Sequence, residues 1–377
     1  MVSVTKERAI EILSDLDKCS ATSFHEERVM SYIRAFLKDK GLDFRLDQYG
    51  NIIVHYVTDS DSEPIAYVAH MDHPGFELLG LDDRGRSVAR ALGGVPPVSF
   101  DGGTKVKIIM GNEEEVTGVL EAKVNGVLDR QVFIQPNGGA DIIEPAYAVF
   151  DLPEFLLLDD FIHMRALDDL AGCASIISVL ESMVSQNIKA NFYGVFTRAE
   201  EVGLIGARLV ARDQELPENT TIVSIESSRT LPGAEQGKGP VIRTGDASYT
   251  FDGGAERLLS RTGSMLKEED ADFQYQRQLM SGGTCEATAF ALQGYQVTGL
   301  AYPLGNYHNQ GNPSEVSPSG SVELENIHSE DFYNGIRLLT EALSISEDED
   351  QTPLAKRLAN VPITDEQQLI DSSGLGT

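Results

Sequence analysis

Phe192-Tyr193-Gly194-Val195-Phe196-Thr197-Arg198-Ala199-Glu200-Glu201-Val202-Gly203, continued by Leu204-Ile205-Gly206-Ala207-Arg208-Leu209-Val210-Ala211-Arg212, is the stretch on which the fold turns. Its first six residues form an apolar, aromatic-rich run of strand length, and its last nine carry apolar side chains at helical spacing. Between them lie two adjacent carboxylates and a glycine. A strand feeding a helix through a short polar turn is the repeating unit of an α/β sheet. Outward from this unit the alternation continues: a strand at Pro64 to Ala69, a helix at about Leu170 to Ser185, and a strand at Thr221 to Ile225. It resumes with a helix at about Ala287 to Leu292, a strand at Gln296 to Ala301 and a last helix from Ser329 to Leu343. Two amphipathic helices, Thr5 to Lys18 and His25 to Lys40, and two short strands, Asp43 to Leu46 and Asn51 to Tyr56, come first. The pattern predicts a mixed sheet with helices on both faces.

Residues 76–163 break the alternation, with short strands separated by turns such as Asp82-Asp83-Arg84-Gly85, Asp101-Gly102-Gly103 and Gly111-Asn112. An inserted β-rich domain is expected there, leaving 1–75 and 164–346 as the main unit. The tail, 347–377, opens with Glu347-Asp348-Glu349-Asp350 and has few large apolar residues, which predicts disorder or a loosely docked extension.

The chain has 59 acidic and 30 basic residues, a net charge of -29, and such a field repels nucleic acid and anionic membrane surfaces. It contains no apolar run long enough to span a bilayer. Met1 to Arg8 lacks the basic-then-apolar layout of a signal peptide, so a cytoplasmic location is expected. The three cysteines, Cys19, Cys173 and Cys285, have no short paired spacing, which argues against a disulfide framework and a thiolate zinc site.

The chemistry concentrates at or near strand ends, where open α/β sheets place their ligands. His70 and Asp72 follow one strand, Glu200-Glu201 another and Glu226 a third; Asp168-Asp169 opens a helix, and His308 lies in a loop after the last strand. Taken singly, each has a bland explanation: a hydrogen-bonded histidine, a helix cap, a solvated helix start, a salt bridge or an exposed loop histidine. Taken together, two histidines and three carboxylates supply what two divalent ions sharing one carboxylate require, and the adjacent glutamates leave one as a free base.

Several motifs, Asp47-Gln48-Tyr49-Gly50-Asn51, Ala69-His70-Met71-Asp72-His73-Pro74-Gly75-Phe76, Arg165-Ala166-Leu167-Asp168-Asp169, Glu200-Glu201-Val202-Gly203-Leu204-Ile205-Gly206-Ala207, Gly282-Gly283-Thr284 and Tyr307-His308, occur in this order. The set resembles the co-catalytic zinc aminopeptidase clan, most closely its tetrahedral-aminopeptidase type, which includes glutamyl and leucyl aminopeptidases and relatives named endoglucanases. The resemblance runs from Glu7 to Leu343. It implies a zinc-exopeptidase, phosphorylase/hydrolase-like fold and hydrolysis of N-terminal residues from peptides through a two-metal-bridged water. It also implies that His70 and Glu226 bind one ion, Glu201 and His308 the other, and Asp168 both, with Glu200 as general base and Asp72 orienting His70. Two ions per chain are implied, zinc by default, with cobalt or manganese suited to the same ligands. Short peptides as substrates, a homo-oligomer built through the inserted domain, and a cis Asp168-Asp169 peptide are implied too.

This sequence departs from the family pattern at His73-Pro74, Glu226 and Cys285, none of which removes a ligand, and His328 competes with His308 for the last ligand position. The helix start at His328 favours His308. A deacylase or carboxypeptidase-like amidohydrolase of the same clan has nearly the same ligands and stands as the alternative, ahead of a non-catalytic metal-stabilised scaffold.

Overall fold

Residues Ile65–His70 are buried along their whole length, and they feed two different cores. Ile65, Tyr67 and Ala69 pack with Phe192, Phe196, Val223 and Ile225, whereas Ala66 and Val68 pack with Ile53, Val195, Ile222 and Phe290. Side chains alternate along a strand, so a strand apolar on both faces must be covered on both.

The computed structural model describes residues 4–83, 86–121, 130–139, 141–313, 318, 320–344 and 357–373. The chain begins with α1 (Lys6–Asp17), α2 (Glu27–Asp39), β1 (Phe44–Leu46), β2 (Ile52–Val57) and β3 (Ile65–His70). It then forms β4 (Gly75–Leu81), β5 (Ser87–Leu92), β6 (Lys105–Ile109), β7 (Glu115–Leu120), β8 (Gln131–Pro136) and β9 (Tyr147–Phe150). Next come β10 (Leu156–Leu158), β11 (Phe161–Met164), α3 (Leu167–Gln186), β12 (Asn191–Thr197), α4 (Ile205–Arg212) and β13 (Thr221–Arg229). After these lie β14 (Val241–Asp246), α5 (Gly253–Glu269), β15 (Gln276–Met280), α6 (Glu286–Ala291) and β16 (Gln296–Leu304). β17 (Gln310–Gly311), β18 (Ser321–Val322), β19 (Glu325–His328) and α7 (Ser329–Ala342) follow.

The main sheet has eight strands in the order β1-β2-β12-β3-β13-β16-β14-β15. β12, β3, β13 and β16 run parallel, while β2 and β14 flank them antiparallel. The sheet is therefore mixed, as expected. α3 packs on β3 and β13 and against α1 and α7, and α6 packs on β13 and β16 beside α4. The carboxyl ends of the four parallel strands open on one edge, which carries the site.

β4 to β9 close a six-stranded barrel in the order β4-β5-β8-β7-β6-β9. It has a core of its own around Phe76, Val106, Ile108, Ile134 and Phe150. β10 and β11 belong instead to a three-stranded sheet with β19.

Three differences from the sequence expectation have physical causes. β13 does not stop at Ile225 but continues to Arg229, each residue paired with β16 up to Leu304. Its last four residues are polar, so hydropathy ended the strand before the ladder did. α3 begins at Leu167 rather than Leu170, and Asp168 and Asp169 keep non-helical backbone angles within it. α5 escaped detection because it opens on Gly253-Gly254, which reads as a loop; the Asp252 carboxylate caps it by accepting from the N–H groups of Gly254 and Ala255 at 2.8 and 3.0 Å.

Arg84 and Gly85 of the expected turn, and the Glu347 to Asp350 run that opens the tail, lie outside the described residues. A helix over Ile363–Ser372 has no buried residue. Among the described residues no helix is long and apolar enough to cross a membrane.

Candidate active site

His70 is the last residue of β3, and Asp72 lies just beyond the strand. The irregular backbone after the strand, not strand alternation, brings the two together. The Asp72 carboxylate accepts from the Ser23 hydroxyl at 2.6 Å and from the backbone N–H groups of Glu200 and Glu201 at 2.9 and 3.2 Å. It thereby ties the end of β3 to the turn after β12. Arg198 anchors the same turn through an ion pair with the buried Glu26 at 2.7 Å.

His70 Nδ1 lies 3.1 Å from the Asp72 carbonyl oxygen and 3.6 Å from Asp72 Oδ1. Since a carbonyl only accepts, Nδ1 carries a proton, and in the neutral ring Nε2 is left to offer its lone pair. Nε2 faces Asp168 Oδ1 at 3.4 Å, Glu200 Oε2 at 3.8 Å and Glu226 Oε2 at 3.9 Å. His308 Nε2 lies 3.5 Å from Asp168 Oδ2 and 3.3 Å from Glu201 Oε1. Two groups result, His70 with Asp168 and Glu226, and Asp168 with Glu201 and His308, each with its ligand atoms within 4.8 Å of one another. Asp168 is common to both. Glu200 stands beside them in neither group. His328 is also in neither: it caps α7, its Nδ1 accepting from the Glu330 N–H at 3.3 Å.

The electrostatics suit a cation. Asp168 Oδ1 and Glu201 Oε1 are buried without a hydrogen-bond partner. Burial pushes the carboxyls of Glu200, Glu201 and Glu226 up, most of all Glu200, where Glu226 and Glu201 add repulsion. Burial alone would lower the His70 imidazole, but Glu200, Asp168 and Asp72 hold it well above its ordinary value. His308 is raised likewise by Glu201 and Asp168. Asp168 moves the other way: burial is overridden by His308 and His70, and its carboxyl is held well below the usual range. An excess of carboxylates in a dry site must take up protons or cations. The mix of imidazole and carboxylate oxygen fits a borderline or hard divalent ion.

Several residues here gave no sequence signal. Glu325 is fully buried and accepts from the N–H groups of Asp168 and His308. His73, noted only as a departure from the family pattern, has Nδ1 2.6 Å from the Asp168 carbonyl and Nε2 2.9 Å from Asn309 Oδ1. The Asn309 amide donates in turn to the carbonyls of Arg165 and Glu323 at 2.8 and 3.0 Å. The Asp168-Asp169 peptide, by contrast, is cis as the resemblance implied. A cavity beside the two groups is lined by Arg243, Met280, Gly282, Gly283, Thr284 and Cys285. Arg243 is 2% exposed, and its Nε and Nη1 have no hydrogen-bond partner.

An α/β sheet carrying at its carboxyl edge two imidazoles and three glutamates around one shared aspartate defines a metal-dependent hydrolase of the exopeptidase type. Comparison with known proteins gives the particular kin. A model of the M42 glutamyl aminopeptidase family matches residues 140–315. A curated protein of Acetivibrio thermocellus, provisionally named an aminopeptidase, is 24% identical over 355 residues, covering 90% of this chain and 99% of that one. The glutamyl aminopeptidase of Lactococcus lactis is 23% identical, covering 74% and 83%. Among solved structures, the TET1 peptidase of Pyrococcus horikoshii, which can assemble into a tetrahedron or a large octahedral shell, matches with a TM-score of 0.73 and 25% identity. That match covers 90% of this chain and 99% of the other. The chain is thus similar to the M42 aminopeptidases, and the resemblance read from its motifs is borne out.

Proposed function

We infer that the protein is a metal-dependent aminopeptidase that uses two divalent ions to remove N-terminal residues from short peptides. The observation that carries this reading is the sharing of Asp168 by two ligand groups, with Glu200 beside both and in neither. His70 and Glu226 would hold one ion, Glu201 and His308 the other, and Asp168 both. Zinc suits this set, and cobalt or manganese would suit it too. When bound, such ions polarise the scissile carbonyl and bring the pKa of water down towards about 7.

The rest falls to the chain's own side chains. Glu200, its carboxyl raised by burial and by Glu226 and Glu201, is suited to hold a proton near neutral pH: it takes one from the attacking water and returns it to the leaving amine. Asp72 fixes the backbone of Glu200 and so aims that carboxylate. The surplus of carboxylates gives the substrate's α-ammonium a favourable place to bind.

The first residue of the substrate is proposed to be acidic. Buried N–H groups left without a hydrogen-bond partner are costly, and Arg243 carries two such nitrogens, Nε and Nη1, on the cavity wall, with Glu226, Asp246 and Asp168 supplying only long-range negative charge. A glutamyl or aspartyl carboxylate would accept from its free N–H groups, in keeping with the glutamyl aminopeptidases among its kin. The proposal extends to a homo-oligomer, as the assembly of the Pyrococcus relative suggests, and further to contacts from the β-rich domain at 76–163 and a cytoplasmic location.

Glutamyl, leucyl and lysyl chromogenic substrates, assayed with wild type and Arg243→Ala, test the substrate preference. The glutamyl substrate should be turned over fastest by wild type and lose its advantage in the variant. A preference for the lysyl or leucyl substrate in wild type would contradict it.

A further inference from the structure

β19 runs between the two segments that deliver Asp168 and His308. On one side it pairs with β11, with Glu325 opposite Met164. On the other, Asn326 exchanges both backbone hydrogen bonds with Gly305, at 2.9 and 3.1 Å, three residues before His308. The Glu325 side chain is 0% exposed, and its two oxygens have separate uses. Oε2 accepts from the Asp168 N–H at 3.0 Å, and Oε1 accepts from the His308 N–H at 2.7 Å. Those two residues face each other through Asp168 Oδ2 and His308 Nε2 at 3.5 Å.

Two further observations set this carboxylate apart from an ordinary buried acceptor. It joins two segments far apart in the chain, lying 157 residues from Asp168 and 17 from His308 and spending one oxygen on the backbone of each. The segment it holds is also strained. Asn306, His308 and Asn309 all have positive φ, 52°, 55° and 60°, a conformation asparagine takes readily but a histidine adopts less often and keeps with the help of its surroundings. The Glu325 hydrogen bond to the His308 N–H is one of the contacts that impose it.

We propose that Glu325 is a positioning residue: its single carboxylate holds the backbone amides of Asp168 and His308 together, sets the spacing of their side chains, and so sets the metal affinity of the group they form with Glu201. The proposal rests on the reading above that Asp168 and His308 are metal ligands. Groups that hold ligands in place typically cost about 10- to 100-fold in metal affinity or activity when altered.

The test uses Glu325→Gln, which keeps the shape but turns an amide NH₂ against one of the two N–H groups, and Glu325→Asp, which keeps the charge with a shorter reach. The control is Asp331→Asn. Asp331 is also buried and also accepts from two backbone N–H groups, those of Gly237 and Gly239, both at 2.7 Å, but it holds no ligand. Zinc affinity is read by competition with a chromophoric chelator, thermal stability on the metal-free proteins, and kcat and KM on the loaded ones. Both Glu325 variants should bind at least one zinc about tenfold or more weakly and lose kcat at little-changed KM. The Asp331 variant should lose stability but keep zinc affinity and kcat. Wild-type zinc affinity and kcat in both Glu325 variants would overturn the proposal, as would equal losses in the Asp331 variant. A wild-type protein that takes up no divalent ion would instead overturn the metal reading beneath it.

Discussion

The imidazole of His308 lies against Gly94 so closely that a Cβ at position 94 would overlap its Nδ1. Gly93, at φ 73°, approaches Glu201 in the same way: a Cβ there would come within 3.0 Å of the Glu201 Cβ. These glycines follow β5, so the barrel is packed directly onto the ligand group and forms part of its wall. Gly94→Ala should therefore displace His308, with a stability cost of about 1–3 kcal/mol from overpacking and a fall in kcat on the order of 100-fold from misplaced groups. Steady-state kinetics and thermal melts check both. An unchanged kcat would mean that the barrel loop yields instead.

Glu200 and Asp168 separate base from ligand. Glu200→Gln removes the base and no ligand, so turnover should fall by about 10²- to 10⁴-fold with metal content intact. Asp168→Ala removes the shared ligand and should cost both ions. Elemental analysis of the two purified variants decides the matter: metal loss in the first, or two ions per chain in the second, would show the roles to be misassigned.

Asp72 is the joint between β3 and the turn after β12, since it receives Ser23, Glu200 and Glu201 together. Asp72→Asn presents an NH₂ to one of these donors and should lower kcat by about 10- to 100-fold. Ser23→Ala removes only one hydrogen bond and should cost about 1 kcal/mol of stability. Comparable kcat losses in the two variants would argue against the backbone anchoring assigned to Asp72.

Glu286 gives a pH signature. It is fully buried, with one oxygen bonded to the Thr197 hydroxyl and the other without a partner, and burial raises its carboxyl from 4.5 to about 8. A folded-state value above the unfolded one means that its contribution is complete below about pH 4.5 and is lost as pH rises towards 8. Glu286→Gln cannot ionise. In metal-free protein, stability should therefore shift in favour of the variant between about pH 5 and 8, as read from denaturant unfolding across a pH series. A wild-type-to-variant difference independent of pH would contradict the raised value.

The site was legible where chemistry stands at the end of an apolar run. β3, β12 and β13 are hydrophobic because both their faces are buried, and the polar residues His70, Glu200, Glu201 and Glu226 stand out against them. His308 has no such background: its place in a loop after the last strand made it a candidate, and the family resemblance gave it its ligand role. Glu325 was hidden because Glu323-Leu324-Glu325-Asn326-Ile327 reads as a solvent-facing alternation, and its partner Asp168 is 157 residues away. Arg243 was hidden likewise, as a charged residue in a short strand whose surroundings depend on β16 and on the loop leading to α6. Local pattern reports which residues face a core; it does not report which distant backbone groups a buried carboxylate serves.

The most direct test is hydrolysis of aminoacyl chromogenic substrates beside their N-acetylated counterparts, with metal content determined on the same preparation. The account predicts cleavage of the free-amine set alone, with about two divalent ions per chain as a shared-carboxylate site requires. Cleavage confined to the acetylated set would contradict it and point to the amidohydrolases of the same clan, and two bound ions without turnover of either set would contradict it as well.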